Sequence, residues 1–212
     1  MKYKGIIFDL DGVICHTDAF HYQAWKAVAD KLGIYFDEVI NNRLRGVSRM
    51  ESLEIILERY EGPPLSEEEK ASIATTKNEK YKALLMQMDK SNVSKDVLHT
   101  LNRLREMGLK LAIGSSSKNA GLILARIGLD GFFDAVSDGN DIEFSKPHPQ
   151  VFLLAAEHIE LPPGECLVVE DARAGIEAAV AGGFDSAGIG DGAGDERATY
   201  PIRDLSDLLQ VL

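Results

Sequence analysis

A chain of 212 residues, 45% of them hydrophobic and 27% charged, has the length and balance for one core, or one core with a smaller appended domain, and is not wholesale disordered. A formal net charge of -11 argues against nucleic acid or an anionic membrane as a partner. The two cysteines, Cys15 and Cys166, have no metal-type spacing, which excludes a disulfide framework or zinc site and fits a reducing compartment.

The opening MKYKGIIF meets Asp9 too soon to be a signal peptide, and no apolar stretch of the roughly 18 residues a membrane span needs occurs elsewhere. The expected location is the cytoplasm. Residues 5–8 read as a short buried strand that turns at Asp9-Leu10-Asp11-Gly12. Similar apolar runs follow at 109–113, 167–169 and 187–189, the kind found in a parallel sheet covered on both faces. Helical patterns at 97–107, 120–127, 151–158 and 174–181 alternate with them. This alternation predicts an α/β domain with a doubly wound parallel sheet.

Between the first strand and residue 91 no strand pattern appears. Ser48 with Glu51, and Ser66 with Glu69, form capping boxes that open helices. The expected organisation is therefore an α/β core, residues 1–16 and 92–212, interrupted by an all-helical insert, residues 17–91. Two chain crossings, near 15–17 and 91–95, would form a hinge.

Ligands of an open parallel sheet bind beyond the carboxyl ends of its strands. Asp9 and Asp11 follow the first run, and Ser115-Ser116-Ser117 with Lys118 follow the second. Glu170-Asp171 follow the third, and Ser145-Lys146-Pro147 precede the 151–158 helix. Taken singly, each has a plain structural reading: a cap, a helix start, a solvated lysine. Together, four carboxylates gathered at one edge require a cation. Hard carboxylate oxygens suit Mg²⁺ beside a substrate phosphate, serines at a helix N-terminus suit that phosphate, and Lys146 can neutralise both.

Asp9-Leu10-Asp11-Gly12-Val13, Ser115, Ser145-Lys146-Pro147 and Glu170-Asp171 resemble the four motifs of the haloacid dehalogenase superfamily, across essentially the whole chain and including the helical cap. Within it, Thr17, His21, Ala24-Trp25-Lys26-Ala27, Gly46-Val47-Ser48-Arg49, Lys77-Asn78 and Ser117-Lys118-Asn119 resemble the hexose-phosphate mutases. The resemblance implies a Mg²⁺-dependent enzyme with Asp9 as nucleophile and Asp11 as general acid/base. Asp9, the Asp11 carbonyl, Asp171 and a supporting Glu170 would hold the metal. Ser115 and Lys146 would hold the transferring phosphoryl group, with Ser116, Ser117, Lys118 and Asn119 in the same cradle. Arg49 would clamp the distal phosphate from the cap. Gly46, Ser52 and Lys77 would face the sugar, and Trp25 would pack in the cap with one face near it. Thr17 and His21 would position Asp11 at the hinge.

The implied reaction interconverts β-glucose 1-phosphate and glucose 6-phosphate through a bisphosphate, with hexose phosphates as partners and the monomer as default state. The alternative is a sugar-phosphate or phosphoglycolate phosphatase of the same fold. Departures from the family pattern are His16 at the hinge, Ser94-Lys95-Asp96 at the second crossing, and Ser116 in place of a small apolar residue. The glycine-rich stretch 188–193 lacks a following apolar helix and is expected to be a surface loop.

Overall fold

A computed structural model describes residues 2–212. Six strands, all parallel, lie in the order β3-β2-β1-β4-β5-β6. They are β1 (Gly5–Phe8), β2 (Lys110–Gly114), β3 (Ala135–Ser137), β4 (Cys166–Glu170), β5 (Asp185–Gly188) and β6 (Tyr200–Pro201). Ile6, Ile7 and Phe8 have no measurable exposure, so the central strand is buried on both faces. That explains its unbroken apolar run, and each such side chain contributes roughly 1.5–3 kcal/mol by burial.

Helices cover both faces: α5 (Lys95–Glu106), α6 (Ala120–Ile127), α7 (Gln150–His158), α8 (Arg173–Ala181) and the short α9 (Leu208–Val211). Ile7, Ala112, Val168, Phe152 and Ala178 build the core on one side, and Ile6, Phe8, Leu111, Leu124 and Leu101 build it on the other. The doubly wound parallel sheet read from the sequence is thus the observed fold, with edge strands β3 and β6 added.

Between β1 and β2 come four helices: α1 (Asp18–Lys31), α2 (Glu38–Asn42), α3 (Arg49–Leu57) and α4 (Glu67–Leu85). Both capping boxes form, at Ser48/Glu51 and Ser66/Glu69. The helices share their own core around Trp25, Phe36, Leu53 and Ile56, while Tyr81 and Leu85 of α4 join the core beneath the sheet. At the second crossing, Arg126 of α6 donates to the Met86 and Met88 carbonyls at 2.7–3.0 Å, pinning the end of α4. Ser94 caps α5 through Val97 N, and His16 at the first crossing is exposed. Among the described residues no helix is long and apolar enough to cross a membrane.

Strand order reverses beside β1: β2 lies on one side and β4 on the other. That switch point opens a crevice at the strands' carboxyl ends, and the helical insert lies over it.

Candidate active site

The turn after β1 delivers two aspartates. Asp9 N continues the ladder to Val169 O at 2.9 Å, which fixes its side chain at the strand end. Gly12 has φ +91°, and a Cβ there would collide with the Asp171 carboxylate, so the turn requires glycine twice over. From β4 come Glu170 and Asp171. One carboxylate oxygen each from Asp9, Glu170 and Asp171 lies within 4.8 Å of the others, and all three residues are buried.

Lys146 arrives from the loop before α7 with no exposed surface. Its Nζ donates to Asp9 Oδ1 at 2.5 Å and to Glu170 Oε2 at 2.7 Å. Burial works against this ammonium, yet the two carboxylates outweigh it and hold it charged well above neutral pH. One lysine does not offset three buried carboxylates. Burial first, then neighbouring carboxylates, push Asp9 up to about 8 despite Lys146. Burial, Glu170 and Asp9 push Asp171 up to about 9. Glu170 Oε1 is engaged by Asp171 N and Ala172 N at 3.1 and 3.0 Å, so this residue steadies the cluster. A buried set of hard oxygens with an uncompensated charge is the donor set a small divalent cation fits.

The serine run leaves β2. Ser115 and Ser117 hydroxyls accept from Ser117 N and Asn119 N at 3.2 Å, so they shape the turn into α6 as well as facing the crevice. The Ser116 hydroxyl is buried and has no hydrogen-bond partner among the described residues. Asn119 Nδ2 donates across the crevice to Asn78 Oδ1 of α4 at 3.0 Å.

Cap and core residues line one cavity of about 530 Å³. From the core it takes Asp9, Asp11, Ser115, Ser116, Ser117, Lys118, Asn119 and Asp171. From the cap it takes His21, Trp25, Gly46, Arg49, Ser52 and Lys77. Of the sequence-predicted residues, only Thr17, Lys146 and Glu170 stand behind its wall. Gly46 sits at φ +77°, a conformation that lets the loop turn over the crevice. Ser52 is buried and donates to Ser48 O at 2.9 Å within its helix. Trp25 is 1% exposed, as expected of a packing residue that still borders the cavity. The Arg49 guanidinium, half desolvated at the cavity wall, feels only Glu79 as a nearby acid.

A hydrogen-bond network joins cap to core. Thr17 Oγ1 hydrogen-bonds Asp11 Oδ1 directly, and Tyr81 OH donates to Thr17 Oγ1 at 3.0 Å. Burial pushes Asp11 up to about 6, with the Thr17 bond pulling back. His21 does not reach Asp11; its Nδ1 lies 2.9 Å from Lys77 Nζ and its ring lies 4.1 Å from the Tyr81 ring. Burial, then Lys77 and Arg49, hold His21 neutral, so Nδ1 accepts from the lysine. Lys77 also lies over the Trp25 and Tyr81 rings at 4.8 and 4.5 Å. Tyr81, one helical turn beyond Lys77, is a member the sequence reading missed; only that spacing could have signalled it.

Burial, then Arg49, depress Lys77 from its ordinary 10.5 to about 7. A depressed lysine costs the fold stability in full at acid pH, and that cost fades as pH rises through the window from 7 to 10.5. The urea midpoint of Lys77→Met is therefore expected to exceed that of the parent at pH 6, with the gap closing toward pH 10. A gap independent of pH would contradict a titrating Lys77.

A family model for haloacid dehalogenase-like hydrolases matches residues 3–183. The chain belongs to that family. It is 37% identical to the β-phosphoglucomutase of Bacillus subtilis over 97% of this chain and 91% of the relative. It is 31% identical to a fructose-1-phosphate phosphatase of Escherichia coli over 89% and 97% respectively. The crystal structure of β-phosphoglucomutase from Clostridium difficile superposes with a TM-score of 0.90 at 35% identity, covering 97% of this chain and 93% of that one. This haloacid dehalogenase-like chain is thus an enzyme of phosphatase or mutase type.

Proposed function

We propose that the protein is a β-phosphoglucomutase, interconverting β-D-glucose 1-phosphate and glucose 6-phosphate. The observation that carries this reading is Arg49, a guanidinium that makes no ion pair among the described residues, on the cap side of the cavity that Asp9 faces from the core. A hydrolase of small phosphoesters has no use for a second phosphate clamp, whereas a bisphosphate needs one at each end.

The Asp9 carboxylate attacks the phosphorus of one phosphoryl group of β-glucose 1,6-bisphosphate. The P–O bond to the sugar breaks, and the Asp11 carboxyl gives its proton to the departing sugar oxygen. A bound monophosphate then returns a hydroxyl to the aspartyl phosphate; Asp11, now a carboxylate, removes the hydroxyl proton as the new P–O bond forms and the Asp9 acyl phosphate breaks. When β-glucose 1-phosphate accepts at its 6-hydroxyl and the resulting bisphosphate next donates from C1, the product is glucose 6-phosphate. An Asp11 pKa of about 6 suits both directions of proton transfer. Lys146, with Ser115 at the crevice, opposes charge on the transferring group. Asp9, Asp171 and the Asp11 carbonyl would hold Mg²⁺, with Glu170 in support, and its charge would offset that of the phosphoryl group. The cap, residues 17–91, would hinge on the core, residues 1–16 and 92–212.

The aspartyl phosphate must outlast water long enough to meet a sugar. Thr17 bonds Asp11 and Tyr81 bonds Thr17, so cap position governs the acid/base. A distal phosphate on Arg49 draws the cap closed and aligns Asp11; water brings no such phosphate. Arg49→Ala is accordingly expected to lower turnover of β-glucose 1-phosphate on the order of 10²-fold or more, while phosphorylation by a small phospho-donor stays within a few fold. Equal loss of both activities would contradict the clamp.

The second reading, a sugar-phosphate phosphatase, is favoured by the similarity to the fructose-1-phosphate phosphatase. It uses the same Asp9, Asp11 and Lys146 with water as acceptor, and it differs only in what leaves the site.

A further inference from the structure

The acidic cluster has two protein cations rather than one. Lys146 serves Asp9 and Glu170 from the core side. Asp171 has a different partner, Arg45, carried by the cap loop between α2 and α3. Arg45 Nη2 lies 2.5 Å from Asp171 Oδ2 and 3.0 Å from Asp18 Oδ2, while Nη1 lies 3.3 Å from Asp191 Oδ2. Asp171 is 4% exposed, so this is a desolvated pair, whereas Asp18 and Asp191 stand in solvent. The guanidinium therefore grips one buried carboxylate of the acidic cluster and two more exposed ones at its margin. Arg45 also joins three pieces of chain: Asp18 at the start of α1, Asp171 after β4, and Asp191 in the short 3-10 helix after β5.

We propose that Arg45 is the cap's own counter-cation for Asp171: it competes with the divalent cation for that carboxylate and, when the cation takes Asp171, remains tethered to Asp18 and Asp191. This rests on the reading of Asp9, Glu170 and Asp171 as the metal-holding set. The charge balance supports it. Three buried carboxylates and Lys146 leave two negative charges uncompensated, and Arg45 cancels the one on Asp171 with a protein group. A divalent cation bound beside Asp171 meets the guanidinium as a like charge at short range, and the two cannot both hold Oδ2 at full strength. The two exposed carboxylates give the guanidinium somewhere to go without unfolding the loop. Metal loading and the seating of the cap loop are then two sides of one coupling, and each affects the other by the same factor.

Isothermal titration of Mg²⁺ into the purified full-length protein tests this, with the thermal midpoint recorded with and without the cation. Arg45→Gln is expected to bind Mg²⁺ on the order of fivefold to tenfold more tightly than the parent, to melt lower than the parent in chelator, and to gain more in melting temperature from Mg²⁺. Arg45→Lys, a point charge that cannot fork between three carboxylates, is expected to fall between them. Arg43→Gln removes the same charge from the same loop, but Arg43 pairs with Glu58 far from the cluster, so Mg²⁺ affinity is expected to stay unchanged. Unchanged or weaker Mg²⁺ binding by Arg45→Gln, or an equal gain from Arg43→Gln, would overturn the proposal. Mg²⁺ binding that survives Asp171→Asn undiminished would instead overturn the metal-site reading, and the proposal with it.

Discussion

Asp9→Asn is expected to lower turnover of β-glucose 1-phosphate on the order of 10⁴-fold or more, the scale seen when an enzyme loses its nucleophile. The carboxamide matches the carboxylate in shape, so packing at the end of β1 is kept. Its oxygen can still accept from Lys146, which retains Glu170 at 2.7 Å as a charged partner. What is lost, on the proposed reading, is the carboxylate oxygen that would form the acyl phosphate. Two measurements together check this. Coupled assay of glucose 6-phosphate reports turnover, and mass spectrometry of protein quenched with bisphosphate reports the phosphoenzyme. The parent is expected to carry one phosphoryl group and the variant none. A phosphorylated Asp9→Asn variant, or one that keeps a tenth of the activity, would place the nucleophile elsewhere.

Lys146→Met is expected to damage both chemistry and fold. The ammonium is fully buried against two carboxylates, and removing one partner of such a group leaves charge stranded in a dry site, at a cost of about 3–5 kcal/mol. The methionine chain fills much of the volume against Phe152, whose ring lies 4.5 Å from Nζ, so the loss is mostly electrostatic rather than a cavity. The sign of the pH dependence follows. Without the lysine, Asp9 loses the group that pulls its raised pKa back down, and an acid raised in the fold destabilises progressively as pH rises beyond the unfolded carboxylate range. Denaturation in chelator is expected to show a stability deficit that is small near pH 4 and large at pH 7.5. A deficit equal at both would mean that Lys146 acts through packing. Turnover is expected to fall in parallel, because on the proposed reading the same ammonium, through its pair with Asp9, would oppose charge on the transferring phosphoryl group.

The main strands and helices were legible because each carries a signal that survives without neighbours. Ile6, Ile7 and Phe8 read as apolar on both faces, and Ser48 and Ser66 announce their helices with glutamates three residues on. Strands β3 and β6 were not legible. Ala135–Ser137 is a three-residue edge strand with a half-exposed Val136, and Tyr200–Pro201 contains a residue that cannot donate to a ladder. Both exist because the sheet edge recruits them, a tertiary cause. The 188–193 stretch is not the surface loop its composition indicated: Gly188 ends β5 and Gly190–Gly194 form a short 3-10 helix with Gly192 buried, and Asp191 on it pairs with Arg45.

The candidate site divides the same way. Asp9, Asp11, Lys146, Glu170 and Asp171 could be chosen because strand ends point to one edge of a parallel sheet. Their partition could not. That Lys146 bridges Asp9 and Glu170, leaving Asp171 to a cap arginine 126 residues away in sequence, depends on how the cap loop lies over the switch point. Tyr81 and Asn78 were hidden for the same reason. They occupy ordinary positions on α4, and only docking of that helix against Thr17 and Asn119 gives them partners. His21 illustrates the opposite case: it was expected to position Asp11, but the group it meets is Lys77.

The mutase reading is tested most directly by incubating the protein with β-glucose 1-phosphate, Mg²⁺ and a trace of β-glucose 1,6-bisphosphate, with glucose 6-phosphate and free phosphate followed together. The α-anomer and Asp9→Asn serve as controls. Rapid formation of glucose 6-phosphate from the β-anomer alone, with little phosphate and neither product from Asp9→Asn, is the expected result. Release of phosphate without glucose 6-phosphate would make the enzyme a phosphatase and remove the role assigned to Arg49.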